Sequence, residues 1–242
     1  MHIKTLFLTA LVSVLPLAAW AQDKTHHNHD DHLHGSEVWH AFILQSDYGA
    51  SNNGAVASVD FHGWIGTDEN KLWLKAELER AKNVTEKSEL WAMYSRNIHT
   101  FWDFQAGVRH DTRPLSTTYA VLGVSGLAPY YFETEAHLFV SDEGDVSARL
   151  RQENEFLLTQ KLILTPYVEA NLFAQDVPEQ NIGAGLSSGE IGIQTRYEIT
   201  RKFAPYIDLR YEQKFGQTSS MAKKHGEDSG NAIASLGLRL MF

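Results

Sequence analysis

The chain has 242 residues, 30 acidic against 21 basic, no cysteine, and a formal net charge of −9 with its 12 histidines neutral. That balance argues against nucleic acid, whose phosphates recruit basic surfaces, and favours cations as partners. Without cysteine there is no disulfide framework, no thiolate metal site and no lipid-bearing N-terminal cysteine.

The chain opens with one positive charge in Met1-His2-Ile3-Lys4, then an apolar run from Leu6 to Leu17, then the small-x-small triplet Ala19-Trp20-Ala21. These are the marks of a secretory signal peptide over residues 1–21, cut before Gln22. The apolar run is shorter than the roughly 20 residues that a spanning helix requires. With Lys4 removed, 20 basic residues remain against 30 acidic ones.

Residues 22–37 form an arm that reads His26-His27-Asn28-His29-Asp30-Asp31-His32-Leu33-His34, with His40 a little further on. Imidazole nitrogen combined with carboxylate oxygen suits Cu(II), Zn(II) or Ni(II). The expected metal ligands are His26, His27, His29, Asp30, His32 and His34. The arm has almost no apolar surface to bury, so it is expected to be disordered before metal arrives. The plainer reading is a solvated tail whose histidines bind nothing specific.

Beyond the arm the apolar period is two. In Phe101–Arg109 one face carries Trp102, Phe104, Ala106 and Val108, and the other carries Asp103, Gln105, Gly107 and Arg109. After Lys161, Leu162, Leu164, Val168, Ala170 and Leu172 oppose Thr165, Tyr167, Glu169 and Asn171. Near the C-terminus, Ile207, Leu209 and Tyr211 oppose Asp208, Arg210 and Glu212. Successive strand side chains point to opposite faces, so each segment is half apolar and half charged. Twelve such segments are predicted, near 38–48, 55–66, 71–81, 86–97, 101–112, 117–126, 129–141, 144–156, 160–175, 189–200, 203–215 and 231–242.

Most of these segments are about ten residues long, enough for a tilted strand to cross the hydrocarbon; sandwich strands run nearer five or six. Thr67–Asn70, His99-Thr100 and Thr200–Lys202 read as tight periplasmic turns, and 176–188 and 216–230 as long loops. The polar faces carry both signs of charge, as in Lys75, Glu77 and Glu79, or Arg149, Arg151, Glu153 and Glu155, and would line a lumen. The expected fold is all-β: a transmembrane antiparallel barrel of twelve strands over 38–242, in the outer membrane of a Gram-negative-type cell, with both termini periplasmic. Phe242 at the terminus suits an aromatic girdle.

Asp60 with His62, and Glu133 and Glu135 with His137, could pass a cation along the lumen or merely satisfy its charge network. Met93 is a weak Cu(I) candidate on a polar face, and Met221 and His225 read as ordinary loop residues. A nucleophilic enzyme needs a serine beside a histidine and an orienting group. No serine is obviously paired with His110, the one histidine near the apolar face of a middle strand, so no enzymatic activity is expected.

Several stretches carry a wider likeness. They are Gly63-Trp64-Ile65-Gly66 with Asn70–Lys75, Gln105–Arg109, Gly123–Tyr130, Ser147–Leu150, Phe203–Tyr206 and Lys214–Gly216. From about residue 60 onward the sequence resembles the copper resistance protein B family of outer-membrane proteins. The resemblance implies a copper-tolerance barrel that moves or sequesters Cu(II) or Cu(I) beside a periplasmic multicopper oxidase, with metal ions and outer-membrane lipid as its other partners. Members often carry a methionine-rich arm; here histidines stand there, with no methionine between Met1 and Met93, which favours Cu(II) or a borderline ion such as Zn(II). The competing expectation is a structural or general-diffusion barrel with an incidental histidine tail.

Overall fold

The computed structural model describes residues 37–82 and 84–242, so the signal segment and the histidines from His26 to His34 lie outside the described residues. The strands are β1 (Trp39–Ser51), β2 (Gly54–Gly66), β3 (Asn70–Ala81), β4 (Val84–His99), β5 (Trp102–Arg113), β6 (Thr117–Ala128), β7 (Phe132–Ser141), β8 (Val146–Glu153), β9 (Phe156–Leu157), β10 (Leu162–Phe173), β11 (Gly185–Tyr197), β12 (Phe203–Lys214) and β13 (Gly230–Met241). One helix, α1 (Gly216–Lys224), precedes β13.

Neighbouring strands pair antiparallel, and β13 returns to β1 in a ladder from Ile43↔Met241 to Ser51↔Ile233. β8 and β9 both pair along β10 and act as two pieces of one stave. The result is a closed twelve-strand barrel. Closure satisfies the backbone of every strand without leaving an edge, the condition for β-structure to cross a bilayer.

The twelve predicted segments each correspond to a stave, and the alternation sets their faces as read. Val108, Val168, Ile207 and Leu209 stand exposed on the outer wall, while Gln105, Arg109, Tyr167 and Asp208 between them are buried inside. Two features differ from the sequence reading. The segment 144–156 is split opposite Pro166 of β10, which has no N–H to give the ladder. The Asn154 amide still donates to the Pro166 carbonyl at 3.2 Å, and its side-chain Nδ2 donates to the Tyr130 carbonyl at 3.0 Å. The stretch read as a long loop at 216–230 contains α1. Its first turn holds Gly, Thr and Ser, weak helix formers, so its support is tertiary: Thr218 and Ala222 are buried. Beyond the helix, Lys214 Nζ donates to Glu227 Oε2 at 2.8 Å, which holds the Glu227 carboxyl below its usual range.

The two ends of the barrel differ. One end, here the terminal end, holds the start of β1, the end of β13 and the turns after β2, β4, β6, β9 and β11. The other, the loop end, holds the two longest connections, 174–184 and 215–229. The tight turns expected at 67–70, 99–100 and 200–202 all fall at the terminal end.

Candidate functional site

The site is the lumen. Every second residue of a stave points into it, so the polar face of each predicted strand becomes its wall. The wall is held in shape by aromatic rings laid over glycines. Tyr167 on β10 lies over Gly192 on β11 and donates to Asp208 on β12, 3.2 Å from each carboxylate oxygen. Tyr206 on β12 lies over Gly237 on β13 and donates to Asp47 Oδ2 on β1 at 3.1 Å. A Cβ at Gly192 or Gly237 would come within 2.4 or 2.3 Å of the ring below it, so only glycine lets these rings lie against the wall.

Charged residues stand in register around this wall. Asp60, Glu77, Glu89 and Asp111 face one another in turn across β2 to β5, and Glu169, Glu190 and Glu212 do so across β10 to β12. Like charges directly opposite repel, so each row needs cations. Glu89 takes three. Arg149 reaches it from β8 with two bonds of 2.9 and 3.0 Å, Arg109 with one of 3.1 Å, and Lys87 lies 3.7 Å away. Lys87 also bonds Glu77 at 2.7 Å, and Lys75 crosses from β3 to Glu135 on β7 at 2.6 Å. Arg210 lies 3.5 Å from Glu79 and 3.2 Å from Glu212, while Arg196 meets Glu155 at 2.6 Å.

A cavity of about 820 Å³ occupies the rest of the interior, and 12 carboxylates against 8 cationic side chains line it. Glu133 and Glu190 on its wall form no ion pair within 4 Å among the described residues. Such an excess of fixed negative charge in a confined space raises the local concentration of cations.

The histidine candidates separate. His62 Nδ1 is 2.5 Å from Asp60 Oδ1 on the cavity wall, which leaves Nε2 as the ring's second nitrogen. His137 Nε2 bonds Gln105 Oε1 at 2.8 Å and packs edge-on to Trp91, beside the aromatic cluster. His110 is exposed on the outer wall and bonds the Thr118 hydroxyl at 2.9 Å. Met93 is wholly buried among rings, and His225 caps the end of α1 through its own helix. Among the described residues no group of three or more histidine, aspartate or glutamate side chains converges in a geometry that would hold a metal.

Two things escape sequence reasoning. Gly185-Leu186-Ser187-Ser188-Gly189 has the G-x-S-x-G form, yet it lies within a strand rather than a strand-to-helix turn, and Ser187 donates to the Asn171 carbonyl. The larger omission is the cluster Trp91, Met93, Tyr119, Val121 and Phe139 inside the lumen. Its signal is present in β6, where Thr117–Ala128 carries no charge on either face.

With this geometry in view, the chain can be compared with known proteins. The family described as copper resistance protein B precursor (CopB) matches residues 38–242. Copper resistance protein B of Escherichia coli is 40% identical over 212 residues, 87% of this chain and 72% of the relative. Copper resistance protein B homolog of Pseudomonas syringae pv. tomato is 36% identical over 218 residues, 89% of this chain and 74% of the relative. Among solved structures, the NanC porin superposes with TM-score 0.59 at 12% identity, covering 81% of this chain and 98% of that one. A KdgM porin in complex with disordered oligogalacturonate gives 0.54 at 9%, covering 83% and 99%. At such identities these two speak for the fold alone.

Proposed function

The chain belongs to the copper resistance protein B family, and from that membership we propose that it captures copper with the histidine-rich arm and keeps it at, or passes it through, the outer-membrane barrel. The ligands are His26, His27, His29, Asp30, His32 and His34. The cargo is Cu(II) first, with Cu(I) and Zn(II) as further candidates, because imidazole and carboxylate are borderline to hard donors. The terminal end faces the periplasm, where a multicopper oxidase is the natural recipient, and the outer wall meets outer-membrane lipid.

The observation that carries this reading is the cavity. Its lining is rich in carboxylates, and it reaches the end of the barrel at which β1 begins. A cation released near that mouth meets a negative interior. The reading assigns the chain no catalytic step. The alternative is a structural or diffusion barrel with an incidental tail.

Proton competition tests the arm. Neutral imidazole is the ligand form, and imidazole ordinarily titrates near pH ~6.5, so binding should be lost as pH falls from about 7 to 5. A Cu(II) isotherm on the purified mature protein should weaken by about tenfold or more over that interval, whereas a site built on Asp30 and Asp31 would weaken much less. Replacing the five histidines by alanine should remove the binding. Equal affinity at both pH values would leave the arm a solvated tail.

A further inference from the structure

The cavity does not run the length of the barrel. Glu198 and Arg201, at the terminal-end turn after β11, line it, and no residue of the 174–184 connection or of α1 does. Trp91, His137 and Arg149 line it where it meets the aromatic cluster, whose Met93, Tyr119, Val121 and Phe139 are each at most 4% exposed and take no part in the lining. Along β3 and β4 the lining continues to Glu79 and Lys87, short of the loop connections.

This packing is centred on Arg109. The guanidinium carbon of Arg109 lies 4.8 Å from the Tyr119 ring centroid, 4.9 Å from Phe139 and 5.3 Å from Trp91. Phe139 meets Trp91 edge-on at 5.2 Å. A cation facing three rings gains from each quadrupole, and here Glu89 and Asp111 neutralise it from behind. Arg149 closes the far side, 5.6 Å from Trp91 and bonded twice to Glu89.

A second layer covers the loop end. Gln180 Nε2 donates to the Tyr119 hydroxyl at 3.2 Å, which ties the 174–184 connection to the rings. The Gly183 amide donates to Thr218 Oγ1 at 2.9 Å, which ties the same connection to α1. The approach is close enough that a Cβ on Gly183 would come 2.3 Å from the Gln217 Cβ. Val177, Thr218 and Ala222 of this cover are buried.

We propose that the aromatic cluster around Arg109 is a gate, and that the resting protein is a vessel open only at its terminal end. Passage through the barrel then requires the rings to part and the Gln180 and Thr218 ties to release. Dense apolar packing on a water-filled path excludes ions by excluding their hydration water.

Ion conductance of the mature protein in a planar lipid bilayer, with potassium chloride as the only electrolyte, tests the gate without reference to copper. Flotation with vesicles and heat-modifiable gel migration establish insertion and folding beforehand. The unaltered protein should carry no steady current. Phe139→Ala, and separately the smaller change Met93→Ala, should raise mean conductance by about tenfold or more by opening a wetted path. A steady current through the unaltered protein equal to that of the variants would overturn the proposal, as would folded variants as silent as the parent. Since no metal is present, a failed gate and a failed metal-binding arm are told apart.

Discussion

Glu89→Ala is expected to destabilise the barrel by about 3 kcal/mol, because it removes the shared partner of three inward cations and the bidentate pair of the buried Arg149. Glu89 is 2% exposed, and Arg149, Arg109 and Lys87 reach it from three directions. Arg109 retains its two bonds to Asp111 and Lys87 retains Glu77, but Arg149 exchanges a bidentate partner for Glu169 at 3.5 Å, a longer contact that does not replace it. Glu133→Ala is the matched control. Glu133 faces Glu153 across β7 and β8 with no ion pair of its own among the described residues, so its loss should be neutral within about 0.5 kcal/mol or slightly favourable. Denaturant unfolding in lipid vesicles, followed by heat-modifiable migration, reads both. Similar losses for the two would mean that the charge network is not what holds the interior.

Leu209→Arg probes the opposite face. Leu209 sits midway along β12, pairs with Ile193 and Ala234, and is 56% exposed on the outer wall. A guanidinium there meets hydrocarbon with no partner, and near the bilayer midplane the cost is about 2–4 kcal/mol. The inward Gln194 on the neighbouring β11 has one side-chain hydrogen bond among the described residues, to Gln45 at 3.2 Å. Gln194→Ala should cost about 1 kcal/mol or less, the scale of one neutral hydrogen bond. The same vesicle unfolding measures both. Equal damage at the two positions would reverse the assignment of lipid face and lumen face.

The barrel was legible because its physics is local. A stave that must be apolar outside and polar inside writes a period of two into the sequence, and Trp102 to Val108 or Ile207 to Tyr211 display it without reference to the rest of the chain. The breaks came where a distant group decides. The stave of β8 and β9 breaks opposite Pro166 of β10, which cannot donate to it, and α1 forms because Thr218 and Ala222 find a covered surface. The lumen's pairings were hidden for the same reason. Lys75 and Glu135, like Glu89 and Arg149, are 60 residues apart in sequence, and nothing in either strand announces the other. His62 and Asp60, two apart on one face, could be read directly. The aromatic gate had a sequence signal that the period-two reading does not use. Tyr119 and Val121 are apolar on the face where other staves carry charge, so a strand apolar on both faces marks where a lumen is filled rather than wet.

Copper tolerance of cells lacking residues 24–34 tests the central claim most directly. The described barrel starts at Trp39, so the deletion touches none of its strands, and the amount of heat-modifiable barrel in the outer-membrane fraction should match that of the parent. If the arm captures the metal, such cells should fall to the tolerance of cells lacking the whole protein. Full tolerance with the arm removed, at equal barrel abundance, would contradict the account.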